Sequence, residues 1–397
     1  MTDSQLDTKS SKEWDAAAWT PRLDANETSA AEIYAKQRDS FPLSFEINEH
    51  GQRTWYAFRS TDVTNILMNT EVFSSAVAKF GKPMIPIELD PPEHTAFRRL
   101  LSNMMTPRRI LRYETAIRAY VITELEPLIA AGGGDFVPLT HSLPVHAFCL
   151  LVGESDNSAF KVLDENMHNT PSLERADDDA VAQRMAALMP LLEYCREKLQ
   201  SRRGNPGDDL ASDIANGQIN GSLIDEDDAT RMLTLIYLAG HDTSTMGLLG
   251  ALSRLSKHAD AQSNLRSHPE RIPQAVEECL RIETPLHTLP RHCTREFTIA
   301  GRTILPGDLV FPVFGAANAD PEAFADPGFF DIDRKPNHFS FGRGVHLCPG
   351  SPLARLQIKV LLQELLARTT SFELGAGAAR TPWPFNGYMK LPIIVRT

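Results

Sequence analysis

The stretch Phe341-Gly342-Arg343-Gly344-Val345-His346-Leu347-Cys348-Pro349-Gly350 carries one thiol flanked by glycines, with a histidine two residues before it. A helix-like run, Ser351 to Ala367, follows it. A thiolate at the start of a helix is favoured by the positive end of the dipole and by backbone N–H groups that have no carbonyl partner. Glycines let the backbone pass close to something flat and large, and take dihedrals that other residues resist. No second cysteine stands nearby, which removes a disulfide or a zinc knuckle as the explanation. A thiolate so held suits one axial bond to a metal whose other ligands belong to a cofactor, the arrangement of haem with a cysteine ligand. Cys149, Cys195, Cys279 and Cys293 read instead as small buried hydrophobes.

A second constellation, Ala239-Gly240-His241-Asp242-Thr243-Ser244, interrupts an otherwise apolar helical run from Glu226 to His258. Gly240 and the short polar residues are poor helix formers. The Thr243 hydroxyl is placed to bond the carbonyl four residues back, leaving room for a groove or a water. An acid followed by an alcohol is what a buried proton relay needs, Asp242 exchanging with solvent and Thr243 handing protons inward. Taken alone, the same residues also suit a kinked helix with satisfied polar side chains. Two further pairs stand out. In Asp90-Pro91-Pro92-Glu93-His94-Thr95-Ala96-Phe97-Arg98 a helix starts with Pro early in its first turn, and His94 and Arg98, four apart, share one face. In Glu278-Cys279-Leu280-Arg281 an acid and a base three apart can pair along a helix.

Phe341-x-x-Gly344-x-x-x-Cys348-x-Gly350 resembles the haem-binding signature of the cytochrome P450 family, and nearly all of the chain can be laid on that family's plan. The resemblance implies haem b, iron protoporphyrin IX, with Cys348 as metal ligand. Ala239-Gly240-x-Asp242-Thr243-Ser244 then resembles the oxygen-activation motif, with Ser244 in place of the more usual second Thr. His94 and Arg98 resemble the propionate-binding helix, and Arg291 and His346 match the family's remaining propionate contacts. Phe341, Gly342 and Gly350, with Ala239 and Gly240, are implied to lie against the cofactor. Thiolate electron push would favour O–O cleavage, while Asp242 and Thr243, the implied catalytic pair, steer protons to the outer oxygen. The Glu278–Arg281 pair is implied to be structural, locking the segment under the cysteine loop, and Phe324, Pro327, Phe330 and Asp331 resemble the aromatic meander packed there. Pro349 is a departure: Pro offers no N–H to the sulfur, which predicts a more electron-rich thiolate and an iron that is harder to reduce.

The elements that must position these groups are mostly helices. Periodicity is clearest over Ile117 to Ala131, Val181 to Gln200, Glu226 to His258 and Pro352 to Ala367. Thr54 to Phe58, segments between Phe297 and Val313, and Met389 to Val395 read as strands. Gly132-Gly133-Gly134 and Arg203 to Asp208 read as loops. The expectation is a mainly α fold with a minor β region. The resemblance makes it a single triangular-prism-like domain over 25–397, with haem between the long central helix and the helix after the cysteine loop. Residues 1–24 form a polar N-terminal segment.

At 397 residues, with 42% hydrophobic and 23% charged residues, the composition is that of a globular protein. No secretory signal or spanning segment is legible, and an odd number of unpaired cysteines suits a reducing cytoplasm. A net charge of -11 argues against nucleic acid. Within that acidic balance Arg98, Arg99, Arg108, Arg109 and Arg112 cluster, and Arg343, Arg355 and Lys359 lie around the cysteine. A basic face on an acidic protein suits either plain solvation or steering of an acidic partner. The resemblance favours the latter: a ferredoxin-type donor with its NAD(P)H-dependent reductase, meeting a monomeric enzyme with no membrane anchor.

By family position the substrate pocket draws on Phe80, Met84 and Ile85, on Leu235 and Leu238, on Leu286, His287, Thr288 and Leu289, and on Tyr388 and Met389. These are largely apolar, so a hydrophobic ligand is expected, with His287 and Thr288 able to bond a carbonyl or hydroxyl. The implied activity is insertion of one atom of O2 into a terpenoid or small aromatic. A peroxide-driven or rearranging enzyme is the second reading, against which the intact acid–alcohol pair stands. A haem sensor without turnover is the third, and a proton relay would be superfluous there.

Overall fold

The computed structural model describes residues 30–47, 53–77, 82–154 and 178–397. The helices that matter here are α1 (Glu93–Met104), α2 (Glu114–Ala130), α3 (Val137–Leu151), α4 (Asp178–Arg202), α5 (Glu226–Ser256), α6 (Ile272–Glu283) and α7 (Ser351–Arg368). The N-terminal segment 1–24 lies outside the described residues, as does Phe80.

Helix α5 is the axis of the molecule, and α3, α4, α6 and α7 all pack against it. Its start is fixed by Asp225, whose carboxylate accepts from the N–H groups of Asp227 (2.9 Å) and Asp228 (3.3 Å). Glu226, Asp227 and Asp228 in its first turn suit the positive end of the helix dipole. At 31 residues it spans roughly 46 Å, at about 1.5 Å per residue. The expected interruption of the helix is not there. The chain stays helical through Ala239 and Gly240, which are exposed between buried turns.

A five-stranded sheet in the order Leu43–Ile47, Arg53–Ala57, Leu309–Pro312, Arg291–Cys293, Phe73–Ser74 forms the main β region. It carries Arg291 and, just past Phe73–Ser74, Ser75 toward the cysteine loop. Three expectations need correction. Gly133–Asp135, read as loop, is a strand paired with Pro392–Arg396. A Cβ at Gly133 would stand 2.1 Å from the Ile393 carbonyl oxygen, so the glycine that looked like a loop signal is what allows the two backbones to approach. The single strand expected over Met389 to Val395 is two, Tyr388–Lys390 and Pro392–Arg396, in different sheets. Helix α1 also begins later than expected, with Pro92 capping it rather than lying within its first turn.

Candidate active site

The cysteine loop is folded on its own backbone. The Cys348 N–H donates to the Phe341 carbonyl at 2.8 Å, and the Leu347 N–H to that of Gly344 at 3.1 Å. Gly342 and Gly344 take φ of 69° and 70°, and a Cβ at Gly344 would meet the Leu67 carbonyl oxygen at 2.9 Å. Only glycine fits that turn. The loop delivers the sulfur to the start of α7, where the backbone N–H groups of Gly350 and Ser351 bond it. Burial nonetheless pushes the thiol up, against the pull of the Gly350 N–H, Arg98, the Ser351 N–H and Arg355. The helix end therefore does not by itself hold a thiolate. A metal cation bonded to the sulfur does so outright.

Beside the sulfur four basic groups converge from three separate parts of the chain. The His94 ring, 1% exposed, lies 4.3 Å centroid to centroid from that of His346, and neither His94 nitrogen has a hydrogen-bond partner. Arg98 donates to the Leu347 carbonyl and, through Nε, to Ser102 Oγ at 3.2 Å. Arg291 is 7% exposed and donates to the Pro290 carbonyl. Burial draws its pKa down to about 10, with Asp90 opposing. His346 is pushed down to about 3 by burial and by Arg291, His94 and Arg98. Its Nε2 lies 3.0 Å from Ser75 Oγ, and Asp90 holds Ser75 through the backbone N–H at 2.9 Å. Among the described residues no carboxylate forms an ion pair with any of the four. A buried cation such as Arg291 without a counter-ion is costly, and two carboxylates of a cofactor would complete this cluster chemically, pairing with the two guanidinium groups and accepting from the imidazoles.

On α5 the Thr243 hydroxyl donates to the Ala239 carbonyl at 2.7 Å, as its spacing predicts. Asp242, half-exposed, approaches His241, with Nδ1 and Oδ1 3.1 Å apart. A Cβ on Gly240 would meet nothing within 4 Å. The helix thus presents a bare, small-residue surface at its middle.

The residues expected around a substrate are not all together. Met84, Leu235, Leu238, Leu286 and Leu289 are half-buried, while Ile85 is 2% exposed and belongs to the core. The Thr288 hydroxyl donates to the Pro312 carbonyl at 2.8 Å. The His287 ring lies 5.3 Å from Tyr34 and fills the space a Cβ on Gly315 would need, and neither of its ring nitrogens is hydrogen-bonded. Tyr388 Oη bonds Ser253 Oγ at 2.5 Å inside the core, and Met389 is 61% exposed.

Two contributors were not legible in the sequence. Ser75 orients His346, and Asn318 accepts the Phe339 N–H at 2.7 Å while donating to Ser340 Oγ at 2.9 Å. Their residue types are commonplace and their partners lie far along the chain, so no local pattern marks them. The Glu278–Arg281 pair forms as expected. Arg281 donates twice to Glu278 at 2.8 Å and once to the Asn318 carbonyl at 2.8 Å.

A single thiolate on a glycine-shaped loop, set beneath a long helix carrying Ala-Gly and an acid–alcohol pair, defines a haem-thiolate protein. The sequence profile described as Cytochrome P450 matches residues 156–376. Erythromycin C-12 hydroxylase of Saccharopolyspora erythraea is 35% identical over 329 residues, covering 79% of this chain and 81% of that one. Linalool 8-monooxygenase of Pseudomonas putida is 28% identical over 389 residues, covering 92% and 95%. Among solved structures, a mutant of P450 EryK in complex with erythromycin B superposes with a TM-score of 0.82 at 30% identity, covering 92% of this chain and 96% of that one. The chain belongs to the cytochrome P450 family. It is a monooxygenase that holds haem b through an axial cysteine thiolate, and no helix among the described residues is long and apolar enough to cross a membrane.

Proposed function

We propose that this enzyme inserts one atom of O2 into an apolar substrate of terpenoid or aromatic type, as a cytoplasmic monomer fed by a ferredoxin. The observation that carries the cofactor geometry is the cluster of His94 and Arg291, both buried, with the half-buried Arg98 and His346, none of them ion-paired to a carboxylate among the described residues. Their donors would hold the two propionates, and Cys348 Sγ would bond the iron. When bound, the haem supplies dioxygen binding and, with thiolate electron push, O–O cleavage. The chain's share is proton control: the Thr243 hydroxyl, at rest on the Ala239 carbonyl, would hand a proton inward and Asp242 would replace it. Ala239 and Gly240 leave the room in which that hydroxyl works.

The apolar, half-buried Met84, Leu235, Leu238, Leu286 and Leu289 support a hydrophobic ligand. A relative named for a terpenoid, linalool, supports that class. The test is dioxygen uptake and product analysis with a ferredoxin, its NAD(P)H-dependent reductase and linalool as first probe, followed by small aromatics. Product with one oxygen added per NAD(P)H is the expected result. Product formed equally well from hydrogen peroxide alone would favour the peroxide-driven reading.

The basic face is weaker than its sequence suggests. Arg109 pairs with Asp213, Arg112 with Asp208, Arg355 with Glu277 and Lys359 with Glu114. Arg99 and Arg108 are exposed. Beside the loop a cleft of about 320 Å³ is lined by Met68, Phe341, Leu347, Arg343 and Arg355 among others. Met68 and Leu347 are 60% and 48% exposed. A donor seated there meets apolar surface rimmed by few free charges. Raising ionic strength should therefore slow its association by less than about tenfold, the low end of electrostatic steering. Stopped-flow reduction by ferredoxin across a salt series measures this.

Pro349 leaves Gly350 and Ser351 as the N–H donors at the sulfur. Pro349→Leu restores one donor and should raise the iron's reduction potential. A potential in redox titration that is unchanged or lower would refute the effect.

A further inference from the structure

Neighbouring side chains on an α-helix point about 100° apart. In α6 Glu278 turns into the core, while Glu277 turns to the cleft beside the cysteine loop, which it lines together with His338, Phe341 and Arg355. There its carboxylate takes the Arg355 guanidinium as a fork, Nε to Oε1 at 2.6 Å and Nη2 to Oε2 at 2.8 Å. Two parallel bonds fix the plane of a guanidinium as well as its place. Arg355 lies over the Phe341 ring, with Cζ 4.4 Å from the centroid. His338 faces the same carboxylate, Nε2 to Oε2 at 3.3 Å, and its ring stands 5.6 Å from that of Phe341. Both groups that meet Glu277 therefore also flank the aromatic residue at which the loop begins. The Phe341 carbonyl in turn accepts the Cys348 N–H.

The charges at this place balance. His338 Nδ1 accepts the Ser340 N–H at 3.2 Å, which leaves that ring neutral with its proton on Nε2. Burial would push the pKa of Glu277 up, but Arg355 and His338 draw it down to about 2, so the acid is charged at any working pH. One carboxylate thus stands against one guanidinium. Arg355 sits in the second turn of α7, the helix that starts at the sulfur, and its charge acts on Cys348. The side chains of Arg355 and Glu277 are 40% and 25% exposed, so water weakens their fields without erasing them.

We propose that Glu277 is a positioning residue for the haem: it holds Arg355 flat on Phe341 and cancels that residue's charge, so that the Cys348 thiolate keeps its electron density and the iron is held harder to reduce. A cation left unopposed here would favour the arrival of an electron. The proposal rests on Cys348 as the haem ligand and on no particular substrate.

The test is a redox titration of the haem-loaded protein with small mediator dyes and no ferredoxin, so that docking at this face plays no part. Glu277→Gln keeps the shape of the side chain and one acceptor. At a fixed applied potential its ratio of reduced to oxidised haem should rise by about threefold or more, where tenfold is about 59 mV for one electron. Arg355→Gln should move the ratio the other way by a similar factor. The double variant, Glu277→Gln with Arg355→Gln, carries neither charge and should return to within about twofold of wild type. Arg355→Lys keeps the charge without the fork and should recover most of the Arg355→Gln shift. Damage to the loop would instead move both single variants the same way and add in the double. A ratio in Glu277→Gln that is unchanged or lower, a rise in Arg355→Gln, or a double variant that stays with either single overturns the proposal. So does an Arg355→Lys no different from Arg355→Gln. The carbon monoxide band of the same samples reports the ligand separately. Its red shift beside unmoved ratios would condemn the charge balance alone, and its absence from wild type would remove the ligand and the proposal together.

Discussion

Cys348→Ser protein, reduced and treated with carbon monoxide, will lack the strongly red-shifted Soret band that wild type will show, and its oxygenase activity will fall to background. The band and the activity have one origin. A thiolate donates electron density along the axial bond, which moves the band and favours O–O cleavage. Serine keeps the shape of the loop, and the backbone bonds of Phe341, Gly344 and Leu347 do not involve the sulfur. It cannot supply a comparable donor at neutral pH. The four basic groups remain, so haem should still be retained. Its spectrum should become that of haem without thiolate. The loss in turnover should be on the order of 10⁴-fold or more, as when a group acting only in the transition state is removed. A red-shifted band surviving in Cys348→Ser would remove the ligand assignment, and every role placed around it.

What could be read from the chain alone follows from how far each interaction reaches. The cysteine loop is local, since its glycines are demanded by positive φ at Gly342 and by the approach of Leu67 to Gly344. Thr243 bonding back to Ala239 is likewise set by helix geometry. His94 and Arg98 share a face by spacing, but nothing in spacing brings Arg291 or His346 to them. Those two came only from the resemblance to known relatives. Long-range pairing was invisible: Asp213, Asp208, Glu277 and Glu114, from other elements, neutralise arginines and a lysine that looked like a free basic face. His287 and Thr288 looked like polar contacts in an apolar wall. The Thr288 hydroxyl is taken by the Pro312 carbonyl, and the His287 ring packs on Tyr34, in elements whose packing no local pattern reveals. Gly133 misled for a related reason, because a glycine that permits close backbone approach has the same sequence signature as one that makes a turn.

Glu278→Ala will destabilise the fold by about 3–5 kcal/mol, the usual cost of stripping one partner from a buried ion pair. Glu278 is fully buried and Arg281 is 1% exposed. The carboxylate also accepts from Arg334 Nε at 3.1 Å and from the Asp331 N–H at 3.2 Å. Removing it leaves one guanidinium wholly buried with no negative partner, stacked over Phe324 at 5.2 Å. Against a typical total of about 5–15 kcal/mol the loss is a large fraction. It also has a direction. From Arg281 the bonds run to the Asn318 carbonyl, from Asn318 to Phe339 and Ser340, and from the Ser340 hydroxyl to the Leu280 carbonyl at 2.6 Å. Phe341 begins the cysteine loop immediately beyond. Loosening the pair should therefore loosen the seat of the haem before it melts α5. Urea titration read at the Soret band should give a lower midpoint than the same titration read by helical circular dichroism. Glu278→Gln, which keeps an acceptor of the same shape, should lie between the two proteins. Coincident midpoints near that of wild type in Glu278→Ala would mean that the pair neither stabilises the fold nor supports the loop.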